Sequence, residues 1–470
     1  MNKHYKQFPC GQVATRFHSR REMLQRSAFG FGWLAASGLI EQEQLEAAKP
    51  NRQSDNATAK SVVFLFMAGG PSHIDTYDPK PLLTELDGQE TPESIRKTFK
   101  ATAMFGNGTR RLMASPFKFE NYGECGMPGS ELVPHTSQHM DDLCMIKSIQ
   151  HDTVIHVPGE YMMTTGSIAG DRPSMGAWVH YGLGTENQNL PGFVVLGGGP
   201  RPTYAPGFLP SEHQGTAINA QDGIPNLNLP KTVTTVQRQG QLGLIDKLNK
   251  RHLEKIGGDS ELEARVRSYE LAFRMQMGAP AVFDLSNETQ ATERLYGMDD
   301  EKTREVGTRC LLTRRLVESG VRFIQLRVDG WDSHDDLVDG HGKASGKSDK
   351  PIAGLIADLK QRGLLDSTLL VWGGEFGRTP GVEKKGGRDH SPGGFTMWMA
   401  GGGIKGGVSV GTTDELGSKA VENPYHVKNL HATVLTLMGL DPNDLSYFYN
   451  GLDQKLVGVE GAEPIYQALA

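Results

Sequence analysis

The sequence predicts an α/β fold with a central, mostly parallel sheet flanked by helices. Three observations lead there. The apolar runs Ser61–Met67, Ser367–Trp372 and Phe395–Ala400 are continuous rather than alternating, which is how strands buried on both faces read. A helical pattern, Lys350–Arg362, precedes the second run, and another, Thr303–Ser319, precedes a further strand at Val321–Val328. That alternation builds parallel sheets. Three of these strands open into loops rich in Gly, Asp, Glu and His, and open α/β sheets place their chemistry at strand ends.

Composition bounds the rest. The chain has 470 residues, 58 of them Gly, and 37% hydrophobic residues; this suits one large domain with loop and helical insertions. A net charge of −6 supplies no global basic field, so nucleic acid is not an expected partner. Cys10, Cys125, Cys144 and Cys310 form no CxxC pair, which argues against a thiolate zinc site or a disulfide framework. A Cys125–Cys144 bond in an oxidising compartment stays open at this level.

The N-terminus reads as an address. Ser19-Arg20-Arg21-Glu22-Met23-Leu24 precedes an apolar, small-residue run, Ser27 to Ile40. Paired arginines before a short apolar region match a twin-arginine export signal. The run is shorter than the ~20 residues that span a bilayer, so no stable membrane span is expected once the signal is removed. The expectation is a signal over 1–48 and one domain over 49–470, in a periplasmic or secreted protein.

The first strand, Ser61–Met67, runs into Ala68-Gly69-Gly70-Pro71-Ser72-His73-Ile74-Asp75. His73 and Asp75 are site candidates; the alternative is a turn in which Asp75 and Asp78 cap backbone groups. Asp142–Ile149 reads as a second core strand, followed by His151, His156, Pro158 and Gly166. Pro158 suits a first helical turn and Gly166 a helix end, which sets His156 near a helix N-terminus, where anions are favoured. Alternatively, His151 and His156 only satisfy loop backbone. In the Gly- and Pro-rich stretch from Gly182 to Lys231, Gly192–Gly197 is one apolar run, and nothing singles out Arg201 or His213. A helical insertion is expected at about 234–300, with Leu242, Leu244, Ile245, Leu248, Leu253 and Ile256 on one face.

The strand Val321–Val328 feeds Asp329-Gly330-Trp331-Asp332-Ser333-His334-Asp335-Asp336. Asp332 and His334, two residues apart in an extended loop, are candidate ligands of one ion, with Asp339 and His341 weaker candidates. Mixed oxygen and nitrogen donors suit zinc, manganese or iron better than calcium. The alternative is an acidic surface loop with one histidine. The run to Trp372 ends at Gly373-Gly374, followed by Glu375, and a Lys/Gly loop leads to Asp389 and His390. Asn429 to Gly439 reads as a helix with Asn429 as N-cap, and its His431 reads as a locally bonded residue. Neither a phosphate-cradling P-loop nor a GxSxG elbow is present.

Taken in order, GGPSHIDTYDPKP, GWDSHDD, GGEFGRTP, GRDHSPGGFTMWMAGGG and NLHATVLTLMGLD resemble the family called domain of unknown function 1501, whose members are abundant in planctomycete-type bacteria and usually exported. That family resembles a branch of the alkaline phosphatase and sulfatase superfamily. The resemblance implies an alkaline-phosphatase-like three-layer sandwich with a metal site at the strand ends. It also implies a divalent metal (zinc, manganese or calcium) held by Asp332, His334, Glu375 and His390, with Asp389, His73 and Asp75 as further or supporting ligands. Where sulfatases carry an Asp-His pair this chain has Glu375-Phe376, and Phe376 supplies no ligand. Where they carry Cys-x-Pro-x-Arg and then Thr-Gly, it keeps Pro158 and Thr165-Gly166 but has His156 for the cysteine and Glu160 for the arginine. Ala68-Gly69 stand where sulfatases carry paired Asp. The implied activity is metal-dependent hydrolysis of sulfate or phosphate esters, on anionic or polysaccharide substrates, with His156 as nucleophile or proton donor. The other expectation is a non-catalytic envelope protein that keeps the fold for binding or assembly.

Overall fold

Alternation along one strand sets the layering. In a computed structural model of the chain, the first strand, β1 (Ser61–Ala68), is buried along its whole length. Val63, Leu65 and Met67 point into one apolar cluster, and Val62, Phe64, Phe66 and Ala68 into a second, as the two-residue period of a strand requires. The structure describes residues 56–93, 111–220, 234–256 and 266–470, apart from 268–269, 272–273 and 276–279. By compactness the chain divides into Met1–Pro50 and Asn51–Ala470. The described residues all belong to the second unit, so the export-signal expectation lies outside them. None of the described helices is long and apolar enough to cross a membrane.

The main sheet has nine strands. Besides β1 they are β2 (Leu143–Gln150), β3 (Phe193–Leu196), β4 (Thr216–Ile218), β5 (Phe323–Asp329) and β6 (Thr368–Gly373). After the separate hairpin β7 (Gly377–Glu383) and β8 (Gly387–Ser391), the sheet is completed by β9 (Phe395–Ala400), β10 (Val408–Val410) and β11 (Tyr425–His426). The order across it is β10-β2-β9-β6-β1-β5-β3-β4, with β11 also paired to β2. β1 is parallel to β5 and β6, and only β9 runs against its neighbours β2 and β6. The mostly parallel sheet is as the sequence predicts.

Helices cover both faces. The longer described helices are α1 (His156–Thr165), α2 (Met175–Leu183), α3 (Thr235–Ile256), α4 (Glu301–Glu318), α5 (Leu337–Gln361) and α6 (Val427–Leu437), and all but α3 pack on the sheet. Leu311, Leu312 and Leu316 of α4 and Ile352, Leu355, Ile356 and Leu359 of α5 join the first cluster. Met162 and Met163 of α1, Trp178 of α2 and Leu430, Val434 and Leu435 of α6 join the second. The result is a three-layer sandwich.

Local details differ from the sequence reading in two places. α5 starts at Leu337 rather than Lys350, because Asp336 caps it by accepting from the Asp339 amide. α6 is capped by the His426 side chain, which accepts from Lys428 N–H; Asn429 lies inside the helix. α3 forms within the expected insertion, with Leu244, Ile245 and Leu248 exposed. Cys125, Cys144 and Cys310 are unpaired.

Candidate metal centre

The topology brings four loops to one rim. β1, β2, β5 and β6 are followed by Gly69, His156, Asp332 and Glu375 at their carboxyl ends, and the antiparallel β9 begins beside the end of β2 (Phe395 opposite Ile149), so His390 at the end of β8 arrives at the same rim. This crevice is where open α/β sheets bind ligands.

Close backbone approach makes the rim possible. Gly69 has φ +111°, and a Cβ there would run into the Asp332 amide nitrogen; only glycine lets the β1 and β5 loops touch. Arg378, fully buried, fastens them. Its Nε donates to Gly70 O (3.0 Å), its Nη1 to Arg388 O (2.9 Å), and its Nη2 to Gly69 O and to Asp332 Oδ1 (2.7 Å).

Three imidazoles face Asp332. His156 Nδ1–H donates to Glu375 Oε1 at 2.6 Å. His334 Nδ1–H donates to Glu383 Oε2 at 2.7 Å. His390 Nδ1–H donates to the Val154 carbonyl at 2.6 Å. Each second nitrogen, Nε2, is thereby presented with a lone pair, the orientation that outer partners impose on metal-binding histidines. The three Nε2 atoms converge on the carboxylate: His156 lies 3.2 Å from Oδ2, while His334 and His390 lie 3.1 and 3.5 Å from Oδ1. His334 Nε2 and His390 Nε2 face each other at 2.9 Å.

This donor set fits a cation. His156 Nε2 is buried without a directed hydrogen bond, although it lies within ion-pair distance of Asp332. Two imidazole lone pairs at 2.9 Å need a proton or a metal between them. A tetrahedron with bonds of ~2.0–2.1 Å has edges of ~3.3 Å, close to the separations here. The electrostatics agree. Burial alone would raise the Asp332 pKa, but His156, His334, His390 and Arg378 hold it far below the carboxylate range. Burial pulls His156 down, yet Asp332 and Glu375 raise it to about 9. His334 is raised, chiefly by Asp332, and His390 is lowered by burial. Asp332 and His156, with side chains 44% and 29% exposed, form its open side.

The other predicted residues lie around this core or away from it. Glu375 is buried and accepts from Gly69 N–H (2.9 and 3.1 Å) as well as His156; it lies behind His156, outside the four converging groups. Phe376 stacks on His390 with centroids 4.3 Å apart and packs against His156 at 5.0 Å, forming an apolar wall. Asp389 Oδ1 accepts from the His390 amide (2.9 Å), and Asp389 groups with His334 and Glu383 beside the core set. His73 and Asp75 are not brought to the cluster. His73 Nε2 donates to Gly417 O (2.8 Å), and Asp75 is paired with Arg388 (2.7 Å), both fully buried. Asp339 is exposed on α5, bonded to Lys343. His341 is buried between Ser72 and Ser333. His431 donates to Met163 O (2.8 Å) inside the core. Glu160 forms a bidentate pair with Arg327 (2.7 and 2.9 Å). Sequence reasoning missed Glu383 and Arg378. Glu383 ends β7 just before a Lys/Gly turn and carries no periodic signal; Arg378 stands out only as part of GGEFGRTP.

Fold and cluster together define an α/β protein with a candidate metal centre at the carboxyl rim of its sheet. The chain belongs to the family described as Protein of unknown function (DUF1501), which matches residues 59–469. No curated protein matches it. Among solved structures it is similar to the PsFucS1 sulfatase from Pseudoalteromonas sp., at 12% identity and TM-score 0.36 over 89% of this chain and 74% of that one. It is also similar to the phosphonate monoester hydrolase SpPMH from Silicibacter pomeroyi, at 13% and 0.35 over 67% and 70%. A third is the alkaline phosphatase of the Antarctic bacterium TAB5, at 10% and 0.33 over 82% and 99%.

Proposed function

We propose that the protein is an exported metal-dependent hydrolase of sulfate or phosphate esters. One observation carries the reading: three imidazole Nε2 atoms and the Asp332 carboxylate converge on one point, with an open side toward solvent. His156, His334 and His390 would hold the cation through Nε2, and Asp332 through a carboxylate oxygen. Zinc suits such a nitrogen-rich set best, and calcium, which takes all-oxygen shells, suits it poorly. A bound divalent cation polarises an ester oxygen and lowers the pKa of water toward ~7.

The chain's own groups do the rest. Glu375 and Glu383 fix the tautomers of His156 and His334. Phe376 shields the His390 face from water. His156 begins α1, whose positive end favours the ester's anionic group. With Nδ1 tied to Glu375 and Nε2 turned to Asp332, His156 fits a ligand better than a nucleophile. That favours direct attack by water, because no hydroxyl or thiol takes its place at the helix start. Export rests on the arginine pair and the apolar run after it.

The same substitution supports a second reading, an envelope protein that binds metal without turning over esters. Metal analysis of the purified protein, followed by aryl phosphate, phosphodiester and sulfate substrates, separates the two. Metal at about one equivalent with turnover that His334→Ala abolishes supports the hydrolase. Metal without turnover supports the binding protein, and no metal sinks both.

A further inference from the structure

Glu160 and Arg327 link the helix that carries His156 to the strand that leads to Asp332 and His334. Glu160 on α1 and Arg327 on β5 form a forked ion pair at 2.7 and 2.9 Å, with side chains only 6% and 11% exposed. Glu160 follows His156 by one helical turn, so the two share one face of α1. The guanidinium is itself held in place. Its Nε donates to Asp329 Oδ1 (2.7 Å), and it lies over the Phe66 ring, 5.7 Å from the centroid. The Arg327 carbonyl also accepts from Arg309 Nη1 (3.1 Å).

A buried ion pair contributes little net stability, because desolvation offsets the attraction. Its fork fixes position instead. Position matters at the start of α1. The N-cap residue, Ile155, supplies no side-chain cap, and Val157 and Gly159 are weak helix formers. Gly159 lets the helix come so close to the loop after β6 that a Cβ there would lie 3.2 Å from Glu375 Cβ, and it offers no side chain to key the helix in place. We infer that Glu160 and Arg327 are positioning residues of the metal centre: their pair locks the first turns of α1 on β5 and so keeps His156 Nε2 beside Asp332, 3.2 Å from Oδ2.

A second buried pair supplies the comparison. Arg314 of α4 and Glu288 are 2.7 Å apart with side chains 5% and 10% exposed, and neither lies on a segment that carries a metal-centre residue. Loss of that pair touches stability alone, whereas loss of the Glu160–Arg327 pair reaches the cation through His156. The inference rests on the metal-centre reading and on none of the hydrolytic chemistry.

A double-mutant cycle on the full chain tests it, read by competition with a zinc chelator. Glu160→Gln should weaken zinc binding about three- to tenfold, short of the ~10–100-fold that loss of a direct ligand partner costs. In a His156→Ala background, where three donors remain, the same change should alter zinc affinity by less than about twofold. Arg327→Lys keeps the charge but not the fork; it should follow the same pattern, and it carries the test where Glu160→Gln does not fold. Glu288→Gln should lower stability and leave zinc affinity unchanged. Unchanged zinc affinity in the pair variants, equal losses in the two backgrounds, an equal loss in Glu288→Gln, or failure of both pair variants to fold overturns the inference and leaves the metal centre standing. A wild-type protein that binds no zinc overturns both.

Discussion

Glu375 Oε1 accepts from His156 Nδ1 at 2.6 Å while the same carboxylate accepts from the Gly69 amide. One buried acid thus locks the tautomer of a histidine of the candidate metal centre and closes the β1 loop. Glu375→Gln keeps an acceptor for Gly69 but removes the charge that favours His156 Nδ1–H. Zinc affinity should fall ~10–100-fold, the usual cost of losing such a partner, with little loss of stability. Glu375→Ala should in addition cost ~1–3 kcal/mol, because a buried amide loses its acceptor. Competition titration with a zinc chelator and urea unfolding read the two effects separately; equal zinc affinity in Glu375→Gln would falsify the role given to Glu375.

Metal removal should destabilise the protein. A cation that binds only the folded state adds ~2.7 kcal/mol at a concentration 100 times its dissociation constant. Chelation should therefore lower the melting temperature, and added zinc should restore it. Asp332→Asn and His390→Ala should abolish that response, since both supply converging donors. A wild-type melt indifferent to chelator and zinc would count against the centre.

The strands and their loops were legible because burial on both faces writes itself as continuous apolar runs, and β1, β6 and β9 fall on the runs predicted for them. Asp332, His334 and His390 were legible because three strand-end loops each carry ionisable groups at the rim. Side-chain direction was not. Glu375 and Asp75 look alike in sequence, yet one turns to His156 and the other to Arg388, a choice made by contacts more than two hundred residues apart. Glu383, on a hairpin closed by a Lys/Gly loop, gave no signal because its role exists only once that hairpin folds back over His334.

Asp75 and Arg388 test the line between scaffold and site. Both are fully buried, 2.7 Å apart. Burial alone would raise the Asp75 pKa, but the Arg388 guanidinium holds it below the usual value. Removing one partner leaves a buried charge alone, which costs ~3–5 kcal/mol. Asp75→Ala should lose that much in urea unfolding while the folded fraction still binds zinc with wild-type stoichiometry. Stable protein that has lost its metal would instead return Asp75 to the ligand set.

Acid sensitivity should come in part from His431. It is fully buried, and burial pushes its pKa down from 6.5 to about 4 against the opposing bond to Met163 O. The folded protein therefore keeps His431 neutral where the unfolded chain takes a proton. Its contribution is complete above pH 6.5 and is lost as pH falls from there through about 4, reaching ~3 kcal/mol at the lower end. His431→Gln keeps a donor toward Met163 O but does not titrate. Between pH 7.5 and 4.5 the wild type should lose more unfolding free energy than His431→Gln. Parallel losses in the two proteins would place the acid-sensitive proton elsewhere.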